Sequence, residues 1–361
     1  MDNMEVYKQL VETMKKRGGT YPGMDIPEFY SMAKELFTPE EAAISNAMPK
    51  GLFAIDMIMP EAGKSEEELA KILDEMADKG LCFTAEVEGR RLYGGPPFVP
   101  GIMEQQFMRG TATDKDKRIA RVIYEYKKAV DAVVGHREET FPSGRVIPID
   151  ETLEPGSRVN TYDEVMSYID KNEHISAATC YCRQEAKLLD ENDDCHKPDE
   201  VCMQFGLSAQ FVADRGIGKS LTKDEAKAML KECEEAGLIH CTVNVQDVTF
   251  ICNCCDCHCM VIEMALKDSM PGRYLSSGFK PVLSPDQCTS CGTCVDICPP
   301  KALSLNSEDV LDVDYDKCFG CGLCASSCDE TAISMDKKED AIEPPANMHA
   351  LKQAVHASRN K

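Results

Sequence analysis

The sequence predicts an α+β chain in several parts, and three observations carry that expectation. Residues 39–94 read as three helices followed by a strand pair. A mainly helical, cysteine-rich middle follows, its thiols split into two groups by one capped helix. Residues 281–335 then repeat themselves 30 positions apart, with all four cysteines in register. The expected division is 1–110, 111–280, 281–335 and a polar tail at 336–361.

Each element has a local cause. Pro39 to Met48 reads as a helix, and Gly51–Ala62 is apolar with room for a short second one. Ser65 with Glu68 forms a capping box, and Leu69, Ile72, Leu73 and Met76 follow at helical spacing. Leu81–Glu86 and Arg90–Tyr93 flank Val87-Glu88-Gly89 as strands around a tight turn. This order resembles a winged-helix domain. Asp114–Val134 and Tyr162–Lys171 read as helices and Thr140–Asn160 as a loop. Thr222 and Glu225 make a second capping box, and Leu238–Val245 looks like a strand. In the tail, Met348, Leu351 and Val355 could form one apolar stripe.

Composition narrows the function. The net charge is −22, and acidic residues exceed basic ones by 19 to 12 in 1–110, 30 to 21 in 111–280 and 13 to 7 in 281–361. No segment offers the basic face that nucleic acid or anionic lipid attracts. The third helix of the winged-helix-like part carries Glu66, Glu67, Glu68, Asp74, Glu75 and Asp78 against Lys71 and Lys79, and the turn adds only Arg90 and Arg91. Phosphates would repel it, so a protein-docking or capping role is expected rather than DNA binding. The N-terminus MDNMEVYKQL lacks a signal peptide's basic and apolar regions, and no stretch approaches a membrane span. A cytoplasmic chain whose 20 cysteines bind metal is the expectation. Gly216-Ile217-Gly218-Lys219-Ser220 lacks the first glycines of a phosphate loop and reads as a turn, and no catalytic triad or HExxH pattern appears.

The repeat decides the chemistry. Its first half reads Cys288-x2-Cys291-x2-Cys294-x3-Cys298-Pro299 and its second Cys318-x2-Cys321-x2-Cys324-x3-Cys328. Three thiolates two residues apart line a tight loop around one face of a cluster, and the following helix carries the fourth away. Gly292 and Gly322 let backbone N–H groups approach the sulfurs. The run resembles two-cluster bacterial ferredoxins. That resemblance implies two short helices under two β-hairpins and two 4Fe–4S clusters that exchange electrons. It assigns Cys288, Cys291, Cys294 and Cys328 to the first cluster, and Cys318, Cys321, Cys324 and Cys298 to the second. Asp329 replaces the usual proline, which loosens the turn without removing a ligand.

The middle holds Cys180-x-Cys182-Arg183, Cys195 and Cys202, then ICNCCDCHC with Cys252, Cys254, Cys255, Cys257 and Cys259. Five cysteines within eight residues offer no ordinary core face, so metal binding is expected here as well. A further 4Fe–4S cluster on Cys180, Cys182, Cys195 and Cys202, or on a mixture with the second run, is favoured over zinc. His196 and His258 read as hydrogen-bonding neighbours, and Cys82, Cys233 and Cys241 as core thiols.

The CxCR segment, the CNCC segment, the stretch PPFVPGIMEQQFMRG at 96–110, the winged-helix-like start and the ferredoxin-like end together resemble ferredoxin-fused iron–sulfur proteins of anaerobic bacteria. The expected function is electron transfer within a cytoplasmic redox complex, with a flavoprotein or metal-containing oxidoreductase as partner. A catalytic reductase using an open central cluster and a redox-sensing regulator stand as alternatives. An exchangeable non-cysteine ligand on iron would mark the first, and salt-dependent binding to duplex DNA the second.

Overall fold

Residues 3–135, 141–148, 161–190 and 193–358 are described by the structure, a computed structural model. They form two units. The first comprises Met1–Arg137, Ala178–Asp194 and Ala209–Lys219, and the second Glu138–Ala177, Cys195–Ser208 and Ser220–Lys361.

In the first unit, helices Asn3–Arg17, Pro27–Leu36 and Pro39–Ala47 precede helix Glu66–Asp78. Both halves of the Ser65–Glu68 capping box are made. That pair satisfies amides that helix geometry leaves without partners, typically worth about 1 kcal/mol. Leu69, Leu73, Met76 and Ala77 form the helix's buried stripe. A three-stranded antiparallel sheet follows in the order Leu52–Phe53, Arg90–Gly94, Phe83–Val87. Helix Asp114–Val134 has the bounds expected from its sequence.

The 96–110 stretch has a packing role. Phe98, Val99, Ile102, Met103, Phe107 and Met108 are all buried. Phe98 meets Phe29 and Tyr126 edge-on, with ring centroids 5.9 and 6.1 Å apart. Arg109 closes the stretch by donating to the carbonyls of Asp78, Arg215 and Gly216.

The second unit adds a sheet to the helical middle. Its centre is a six-stranded sheet in the order Gly144–Val146, Ile239–Val243, Phe250–Cys254, Cys202–Phe205, Ile175–Ala178, Lys219–Ser220. Ile239–Val243 falls in the strand read at 238–245; the others escape sequence reading because they have five residues or fewer and show no clear polar–apolar alternation. Gly144–Val146 lies inside the expected 140–160 loop, whose residues 149–160 fall outside the described ones. Helices Thr161–Lys171 and Lys223–Glu235 accompany the sheet, the latter with its Thr222–Glu225 capping box complete. Met203, Phe205, Ile251, Ala226 and Leu230 share one core.

The C-terminal part of this unit has two short antiparallel ladders. Phe279–Leu283 pairs with Ile333–Lys337, and Leu303–Leu305 with Leu311–Val313. Beside them lie one-turn helices Thr293–Asp296 and Leu323–Ser326, entered from Gly292 and Gly322 at φ 83° and 85°. Such angles cost a side-chain-bearing residue free energy and glycine almost none. The tail is less uniformly polar than expected. Helix Met348–Ser358 buries Leu351, whereas Met348 is exposed and Val355 half-buried, so the three do not form one seated stripe.

Candidate metal centre

The duplicated loops gather eight thiols into two groups. Cys288, Cys291, Cys294 and Cys328 line one cavity, together with Asp309, Asp329 and Glu330. Cys298, Cys318, Cys321 and Cys324 line a second, apolar one. Each group takes its fourth member from the other half of the repeat. The two halves match in backbone detail. Ser290 and Gly320, Gly292 and Gly322, and Lys301 and Thr331 all have positive φ, each pair 30 residues apart. The amide of Ala302 donates to Cys298 Sγ at 3.3 Å, and that of Ala332 to Cys328 Sγ at 3.4 Å.

The groups differ in environment. In the first, Cys291 is exposed and Cys288 and Cys328 half-buried. In the second, Cys298, Cys318 and Cys324 are buried. We call them the outer and inner groups. Pro299 and Pro300 are buried behind Cys298, whereas their repeat mates Asp329 and Glu330 are exposed beside the outer group. The departure from proline at 329 thus occurs where the turn meets solvent.

Electrostatics fit the cluster reading. Burial pushes the Cys321 thiol up to about 12. Burial, then the neighbouring Cys321, Cys318 and Cys298, push Cys324 well above the ordinary thiol range. Four sulfurs so placed cannot all ionise unaided, because each thiolate repels the others in a low dielectric. A cluster supplies the missing positive charge, and amides already point at the sulfurs. Cys291, at the surface, is shifted the other way by the Thr293 hydroxyl.

The middle thiols of the second unit fall into two further groups. Cys241 lies opposite Cys252 in the ladder of Ile239–Val243 with Phe250–Cys254. Met203 opposite Ile251 sets the register that brings Cys202 beside Cys252. The Cys252 thiol contacts those of Cys202 and Cys254, and the Cys254 thiol contacts Cys241, Cys252 and Cys259. Cys259 caps helix Met260–Leu266. This row shares one apolar core with Phe319, Leu323 and Cys321 of the inner group. The contact with Cys241, offset in part by those with Cys252 and Cys259, and burial hold the Cys254 thiol at about 12.

The second group is Cys195, Cys255, Cys257 and His258, whose ligand atoms all lie within 4.8 Å of one another. Cys195 Sγ and Cys257 Sγ are 3.6 Å apart.

Cys180 and Cys182 belong to the first unit, at the start of helix Tyr181–Leu189. The Cys182 thiol, then burial, push Cys180 well up, while the adjacent Arg183 cation pulls it down. Arg183 is completely buried. Nearby, Lys127 pairs with Glu185 at 2.5 Å, and burial raises Glu104 to about 7 despite the amide of Gly101 donating to its carboxylate.

Two expectations shift. Cys241, expected as a core thiol, is buried but also touches the Cys254 thiol and so joins the row. The sequence signal was the hairpin register: a strand at 238–245 folding back on 250–254 puts 241 against 252. His258, expected as a neighbour of thiols, stands among the candidate ligands themselves. Cys82 and Cys233 are buried.

Residues 280–329 match the family model described as a 4Fe-4S dicluster domain. No curated protein and no solved structure matches the chain. The matched stretch holds all eight repeat cysteines expected as ligands, from Cys288 to Cys328. The protein therefore carries a 4Fe–4S dicluster domain and is an iron–sulfur protein, with electron transfer as the activity that domain supports. No helix among the described residues is long and apolar enough to cross a membrane.

Proposed function

We propose that this chain is a ferredoxin-like electron-transfer subunit of a cytoplasmic redox complex of an anaerobe. The carrying observation is the pair of four-thiol groups with exchanged fourth members in the dicluster domain. Bound 4Fe–4S clusters take up and release single electrons; the chain's own residues set their spacing, burial and potential. The outer group, reached by solvent at Cys291 and flanked by carboxylates, suits exchange with a partner. The inner group, walled by Phe319 and Leu323, adjoins the row Cys202, Cys241, Cys252, Cys254 and Cys259, which would hold a further iron–sulfur cluster.

On this reading the partner is a flavoprotein or a metal-containing oxidoreductase. The winged-helix-like residues 39–94 serve docking, because the acidic helix Glu66–Asp78 is unsuited to DNA.

The test is anaerobic purification, assay of iron and acid-labile sulfide, and EPR during reductive titration. At least about eight irons with two interacting S = 1/2 signals support the reading. About twelve irons, with an additional signal lost in Cys254→Ser, place the central row on the electron path. Absence of iron after anaerobic reconstitution refutes it.

A further inference from the structure

We infer that Cys195, Cys255, Cys257 and His258 bind one tetrahedral metal ion of the zinc class, separate from every iron–sulfur cluster. The inference does not rest on the electron-transfer reading.

Spacing is the first argument. Zinc bonds of about 2.3 Å to sulfur and 2.0–2.1 Å to nitrogen place tetrahedral ligands roughly 3.3–3.8 Å apart. The four donors here lie within 4.8 Å of one another, and the Cys195–Cys257 pair is already at 3.6 Å. A small inward adjustment closes the tetrahedron. A cubane places each thiolate on a different iron, so its four sulfurs stand much farther apart than ligands of one ion. These donors are too tightly gathered for it.

Donor chemistry is the second. Three thiolates and one imidazole form a recurrent structural zinc set. The sequence offers the spacings Cys252-x2-Cys255 and Cys254-x2-Cys257, but the ligand set found here uses neither pair intact. The fold supplies the equivalent by bringing Cys195 from 60 residues upstream to a Cys255-x-Cys257-His258 turn.

Chain geometry is the third. Side chains alternate along a strand, so Cys252 and Cys254 share one face of Phe250–Cys254. Cys255 follows on the other side, the turn returns Cys257 and His258 to it, and Cys259 rejoins Cys254. Five cysteines in eight residues thereby serve two sites. Cys255 is buried, Cys195 and His258 are half-buried and Cys257 is exposed, which gives an ion a route in. The ion would pin the segment after 193 to the sheet's exit turn.

The test uses the full chain, purified without oxygen and reconstituted with iron, sulfide and zinc. One zinc per chain is expected, with zinc-edge X-ray absorption of the unsubstituted protein showing three sulfur ligands at about 2.3 Å and one nitrogen at about 2.0–2.1 Å. Cys257→Ser and His258→Ala should each lose that equivalent and leave iron and sulfide unchanged. Absence of zinc, a Cys195–Cys257 disulfide in the anaerobic protein, or loss of about four irons in Cys257→Ser would each overturn the inference. Because the absorption measurement needs no variant, a misfolded substitution cannot decide it.

Discussion

Gly320→Ala should empty the inner group while sparing the outer one. Gly320 has φ 68°, and a Cβ built there would stand 2.2 Å from the carbonyl oxygen of Phe279 and 2.5 Å from Ser277 Oγ. Ordinary contact begins near 3.4 Å, so the carbonyl must retreat by 3.4 − 2.2, about 1.2 Å. That carbonyl belongs to the first residue of the Phe279–Leu283 ladder, and the retreat strains the pairing with Ile333–Lys337. The left-handed backbone alone adds roughly 1–2 kcal/mol. Its repeat mate supplies the control. Ser290 holds nearly the same conformation at φ 57°, but it is half-buried and its hydroxyl donates to the Asp309 carbonyl at 2.5 Å. Ser290→Ala therefore keeps the loop and loses one hydrogen bond, about 1 kcal/mol. Iron analysis and EPR of both variants read the outcome. Gly320→Ala should lose about four irons and the inner signal, and Ser290→Ala none. Full iron content in Gly320→Ala would refute the close-approach argument.

Three other outcomes follow from the structure. Cys298→Ser should alter the inner EPR signal and Cys328→Ser the outer, each opposite to the loop that precedes it in sequence; changes confined to the loop's own signal would sink the crossed grouping. Glu104, raised by burial from 4.5 to about 7, is protonated in the folded chain where the unfolded chain has already ionised. Stability is therefore highest below about pH 4.5 on this group's account and falls as pH rises through 7, by up to roughly 3 kcal/mol; Glu104→Gln should flatten the slope in melting curves, and an unchanged slope would exclude it. Arg215 forks to Asp74 at 2.5 Å and Asp78 at 2.8 Å; Arg215→Lys keeps the charge but loses the fork, and urea denaturation should show a loss of about 1 kcal/mol. A variant as stable as the parent would show the fork to be inert.

What could be read from sequence was what local chemistry writes. Capping boxes at Ser65 and Thr222 gave helix starts at Glu66 and Lys223, and the run Asp114–Val134 gave its helix without one. The duplicated thiol spacing gave the dicluster domain. Apart from Ile239–Val243 the six-stranded sheet was hidden, since strands of two to five residues show no period. Without the sheet, Cys241 looked like any apolar-face thiol and Cys195 had no visible partner. Pairing partners 50 or 60 residues away leave no local trace.

The central row has an implication for the order of events in biogenesis. The ferredoxin loops carry three of their thiols within seven residues, so nascent chain can present them early. Cys202, Cys241, Cys252 and Cys259 come from two strands, a third beside them and a helix cap. Closing such distant contacts is slow because chain entropy is lost before any contact repays it. The row can exist only after three strands have zipped in register, so on the proposed reading a cluster held there would be loaded last. On that reading, a chain stalled before that point would pass electrons between its outer and inner groups and no farther.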